Sequence, residues 1–128
     1  MRGVIDLVLH DQTHPVSIAT EVHSLIQRAE QQVRWANEKA DALAGLPEMD
    51  GRRICRLLVL RNTRANRDLV RSAPAVFRAA YPGRAADAYR ALTDPTAEFP
   101  GAAILWAVVE AGRGRILDHP PRGVIVGR

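Results

Sequence analysis

The run Leu57-Leu58-Val59-Leu60 constrains the fold more than any other feature of the chain. Four successive large aliphatic residues without polar alternation need burial on both faces, as in a central strand covered by helices. The spacing predicts a strand over Ile54–Leu60. The segments around it then have to supply further strands and the helices that cover them.

Val4–Leu9 and Val16–Val22 read as strands, rich in residues that suit a pleated surface. Asp11-Gln-Thr-His-Pro15 between them reads as a turn, so the pair is expected to form an antiparallel hairpin. A helix is expected from Ser24, as N-cap, to Ala44, with Gly45 as its stop. At 100° per residue, Leu25, Ala29, Val33, Ala36, Ala40 and Leu43 share one apolar stripe about 80° wide. After the central strand, Asn62 or Thr63 is placed to cap a helix reaching about Ala80, which Pro74 bends or divides. Gly83–Leu92 gives a third helix and Ala102–Val109 a strand. Ala111–Gly114 gives a tight turn, with Arg115–Leu117 as the hairpin partner and Val124–Val126 as a last short strand. This order predicts one α/β domain over residues 1–128, a mixed central sheet with flanking helices.

One cysteine, Cys55, excludes an internal disulfide and a multi-cysteine zinc site, and it reads as a small buried side chain. The opening residues give no support for secretion, which makes the cytoplasm the default expectation. Charge is distributed unevenly. Residues 1–50 carry a net −4, residues 51–90 a net +8, and residues 91–128 balance. Of the 18 cations, 17 are arginines and one is Lys39. A basic middle of this kind points toward a nucleic-acid partner.

Asp6 interrupts an apolar strand, where a carboxylate is costly unless it is paired or bound to a cation. A hairpin register centred on Thr13-His14 sets position 6 opposite position 21. The Asp6 and Glu21 carboxylates would then leave the same face, within about 6 Å, close enough to share a divalent ion such as Mg²⁺. His23, two residues beyond Glu21, shares that face.

The stretches Gly3-Val-Ile-Asp6-Leu-Val, Thr20-Glu21-Val-His23-Ser24 and Gln31-Gln-Val-Arg-Trp35-Ala36 resemble the PD-(D/E)xK nuclease-like superfamily, most closely its RecB-like branch. The resemblance covers residues 3 to about 60. It implies a nuclease-like core, Asp6 and Glu21 as metal ligands, and Gln31 and Trp35 bordering the cleft. Two departures stand out. His23 replaces the lysine of E-x-K, exchanging a fixed cation for a group mostly neutral at pH 7. The family's usual helix and strand before the aspartate strand also have no counterpart here, so the sheet is expected to lack an element. The chain is further similar to domains that follow a helix-turn-helix in some bacterial DNA-binding regulators.

Ser24, Gln27, Gln31 and Trp35 lie off the apolar stripe on a second flank of the first helix, with Lys39 one turn beyond. Ser24 and Trp35 are expected to line the carboxylate cleft. Lys39 is the alternative to His23 as the site's cation, since some family members bring the lysine from a helix. In the basic middle, Arg64, Arg67, Arg71 and Arg78 form one stripe on a continuous helix, opposite its apolar face, where they would track phosphates. The leading expectation is a DNA-associated nuclease-fold domain with an eroded site, acting in binding or regulation. The alternatives are an active Mg²⁺-dependent deoxyribonuclease and a structural or dimerisation module. A homodimer or an upstream DNA-binding domain is the expected protein partner, recruited through an open sheet edge at Val4–Leu9 or Leu57–Leu60.

Overall fold

In the computed structural model, residues 6–124 are described. Five strands form one mixed sheet in chain order: β1 (Leu7–His10), β2 (Val16–His23), β3 (Arg53–Arg61), β4 (Ala102–Glu110) and β5 (Arg113–Ile116). β2, β3 and β4 run parallel, and an antiparallel hairpin strand flanks them on each side. The helices are α1 (Ala29–Ala44) between β2 and β3, then α2 (Arg64–Ser72), α3 (Pro74–Ala80) and α4 (Ala85–Thr93) between β3 and β4. No helix among the described residues is long and apolar enough to cross a membrane.

The aliphatic run does occupy the sheet centre. Leu57, Leu58, Val59 and Leu60 are all buried, with side chains alternating between two cores. Leu58 and Leu60 pack with Ile104, Trp106, Val70, Phe77 and Ile26 on the face covered by α1, α2 and α3. Leu57 and Val59 pack with Val16, Ile18, Leu105, Phe99 and Ala88 on the face covered by α4. Because β3 is hydrogen-bonded on both sides, the edge expected at Leu57–Leu60 does not exist. β1 is an edge, and the expected start of that strand at Val4 lies outside the described residues.

Two local expectations need correction. The first helix begins at Ala29, and Ser24 is not its cap. Arg28 holds the N-cap position without a side-chain cap bond. Ile26, not Leu25, is the buried residue of that segment, and Leu25 is 52% exposed. The cause is Asn66, fully buried, whose Oδ1 accepts from the Ile26 N–H while its Nδ2 donates to Ser24 O and Arg61 O. The two bonds to Ile26 and Ser24 hold residues 24–26 away from helical geometry, and the third ties Asn66 to the end of β3. As expected, the helix after Thr63 is divided at Pro74 into α2 and α3, with Ala73 at φ −135° and ψ 56° between them. Second, β5 starts at Arg113, so the final hairpin closes through two residues. Ala111 and Gly112 both have positive φ, 51° and 74°, as such a turn demands. Of the last expected strand only Val124 is described, buried against the first core.

The N-terminal end of the parallel strands is stitched by arginines. Arg52 donates to Ser17 Oγ and to the carbonyls of Asp11 and Val16, while Arg53 reaches Glu98 and the Phe99 carbonyl. Gly83 lies so close to β4 that an added Cβ would sit 2.6 Å from the Ala102 carbonyl oxygen. The opposite end of the sheet carries the candidate site.

Candidate metal and phosphate site

β1 and β2 pair with Leu7 opposite Thr20 and His10 opposite Ser17, the register expected from the sequence, although the connection is longer than two residues. Its geometry comes from Asp11, whose Oδ1 accepts from the Thr13 and His14 N–H groups. These bonds, with a His14 side-chain contact, hold the Asp11 carboxyl down to about 2. The register carries Asp6 and Glu21 together. The Asp6 N–H donates to Glu21 Oε2 at 3.3 Å, and Asp6 Oδ2 accepts from the Val22 N–H at 2.8 Å. One ligand atom from each of Asp6, Glu21 and His23 falls within 4.8 Å of the other two.

Glu21 is buried and Asp6 exposed, so the group opens to solvent on one side. Lys39 reaches down from α1, its Nζ 2.6 Å from Glu21 Oε1, with side-chain exposures of 14% and 5% for the two partners. A carboxylate this buried requires such a cation. Two carboxylates and an imidazole are a donor set that suits a divalent ion. His23 Nε2 is itself buried with no hydrogen-bond partner among the described residues. Gln31 and Trp35, both half-buried, precede Lys39 by two turns and one turn on the same flank of α1. Ser24 is exposed in the loop that follows His23.

The arginines expected to form one stripe do not stay together. The break at Pro74 puts Arg78 on α3, a separate helix from the α2 that carries Arg64, Arg67 and Arg71. Arg71 is tied to Asp68 and to the carbonyls of Arg122 and Gly123. Arg67 donates to Asn62 Oδ1, and Arg64 stands 3.7 Å from Asp68 with 89% of its side chain exposed.

The sequence reading missed Asn66, which pins the loop after His23 to the start of α2. It also missed Arg56, packed over the Tyr81 ring at 5.2 Å. Burial pushes the Tyr81 phenol up to about 12. Arg56 interrupts the β3 alternation much as Asp6 interrupts β1, and that interruption was the available signal. Cys55 is buried, and desolvation raises its thiol, as suits an inert core residue. The chain matches no family model, no curated protein and no solved structure.

Proposed function

We propose that the chain is a nuclease-like domain that hydrolyses phosphodiester bonds in nucleic acid, with a divalent ion held by Asp6, Glu21 and His23. The observation that carries the reading is Lys39 Nζ at 2.6 Å from Glu21 Oε1. That ammonium supplies, from a helix, the cation that His23 does not supply from the strand. A divalent ion at these donors would polarise a phosphoryl oxygen. Lys39 places a fixed positive charge beside the same centre, where charge develops on the phosphate. The Glu21 carboxylate is held by the Asp6 N–H and the Asp6 carboxylate by the Val22 N–H, so the donors need little rearrangement.

A second reading, binding without cleavage, draws on the same contact: a lysine committed to Glu21 competes with the ion for that carboxylate. One experiment separates the two. Plasmid nicking is followed with Mg²⁺ or Mn²⁺, alongside calorimetric titration of Mn²⁺. Under the first reading the native chain cleaves, and Asp6→Asn and Lys39→Met each lower the rate about 100-fold or more. No native cleavage, together with cleavage by His23→Lys, supports the second reading. No cleavage by any form and no heat of Mn²⁺ binding overturns the first reading.

A further inference from the structure

The β4–β5 hairpin projects beyond the end of the sheet where the candidate site lies. β2 ends at His23, opposite Leu60, and β3 ends at Arg61, opposite Ala107. β4 continues three residues farther, to Glu110. At about 3.4 Å per residue, the hairpin stands about 10 Å past its neighbours. Its arginines face a definite side. Leu58, Leu60, Ile104 and Trp106 share the face of Glu21 and His23, and the alternation continues through Val108 and Glu110. Arg115 is opposite Val108 and Arg113 opposite Glu110, so both leave that same face. Both are exposed, and neither has a carboxylate within 4.0 Å among the described residues.

α2 lies on this face too, since Val70 packs in the core with Leu58, Leu60 and Trp106. Asn66 ties its first turn to the loop after His23. That turn also carries Arg64 and Arg67. The opposing charges are Glu110 on the hairpin, Asp118 beside Arg115 and Asp68 on α2, all exposed and so readily outcompeted. Three strand spacings separate β2 from β5, about 14 Å, or roughly four base pairs of duplex rise.

We infer that the projecting β4–β5 hairpin is a nucleic-acid clamp, on which Arg113 and Arg115 bind the phosphates of a duplex whose backbone crosses the candidate site. The inference rests on the nucleic-acid reading proposed above and extends it to a surface outside the carboxylate cluster. A duplex is favoured over a single strand because no aromatic side chain accompanies these arginines to stack on unpaired bases. Phe77, Tyr81, Phe99 and Trp106 are buried, and the half-buried Trp35 and Tyr89 belong to α1 and α4, not to the hairpin.

The test is fluorescence-anisotropy binding of a labelled 20-base-pair DNA duplex, its RNA counterpart and one labelled DNA single strand, in EDTA, from 0.05 to 0.5 M salt. The proteins are the native chain, Arg113→Ala/Arg115→Ala, and Arg84→Ala/Arg90→Ala as an equal charge change on the opposite face. Two phosphate contacts contribute about 1.8 to the log–log salt slope, so the hairpin variant should bind about sixtyfold more weakly at 0.1 M salt than the native chain. The α4 variant should keep the native slope. Equal losses in both variants, or no duplex binding by the native chain, overturn the clamp, and tighter binding of a single strand than of either duplex does so as well. Whether DNA or RNA binds more tightly names the source of the phosphates. Because the assay contains no divalent ion, hairpin-dependent binding without Mn²⁺ uptake at Glu21 would sink the catalytic reading and leave the clamp standing.

Discussion

Replacing Lys39 by methionine removes the charge and keeps most of the volume, leaving the Glu21 carboxylate 5% exposed without its ion-pair partner. What remains is one 3.3 Å bond from the Asp6 N–H. Breaking a buried pair on one side costs about 3–5 kcal/mol, and the 14% exposure of Lys39 favours the lower end. A loss of about 3 kcal/mol at roughly 4 °C per kcal/mol corresponds to a melting point lowered by about 12 °C. Thermal and urea unfolding of Lys39→Met, Glu21→Gln and the double variant measure it. Glu21→Gln should rescue most of the Lys39→Met loss, since a neutral amide needs no cation. Mn²⁺ at 100 times its dissociation constant should return about 2.7 kcal/mol to Lys39→Met, by taking the lysine's place. A Lys39→Met chain within 0.5 kcal/mol of native, or a double variant no more stable than Lys39→Met, would refute the reasoning.

Asn66→Ala should cost about 3 kcal/mol, because it strands the Ile26 N–H and the carbonyls of Ser24 and Arg61. Hydrogen exchange should quicken at Ile26 in that variant, and an unchanged rate would show that the loop holds itself. Tyr81 binds its proton more tightly folded than unfolded, so its contribution is complete below pH 10 and lost as pH rises toward 12. The shift of about two units corresponds to roughly 3 kcal/mol, and Tyr81→Phe should abolish that part of the alkaline loss in urea titrations.

Several features were legible because local rules decide them. The aliphatic run placed β3 at the centre, and the Asp11 turn kept the hairpin register that unites Asp6 with Glu21. Lys39 was legible as a neighbour because it follows Trp35 by one helical turn. The start of α1 was not. The 3.6-residue pattern accommodates Leu25 as readily as Ile26, and Asn66, forty residues away from Ile26, decides between them. The arginine stripe failed for a similar reason. Angles computed along one helix lose meaning once Ala73 turns the chain before Pro74. Arg71 then meets carbonyls from residues 122 and 123, which no short-range pattern contains.

The arginine stitching at the N-terminal ends of the parallel strands gives the molecule a fixed end and a permissive end. Arg52 and the Arg53 N–H, which donates to the Pro15 carbonyl, join the first hairpin turn to the start of β3, and the Arg53 guanidinium joins β3 to the segment before β4. Substitutions there unfasten three strands at once. Beyond His23 and Glu110, Ser24, Leu25, Ala111 and Gly112 are exposed, so sequence drift at those rim positions leaves the scaffold closed. Selection can therefore rework the rim, lysine for histidine or arginine for glycine, one residue at a time. The cost falls on affinity or rate, while the chain goes on folding as before.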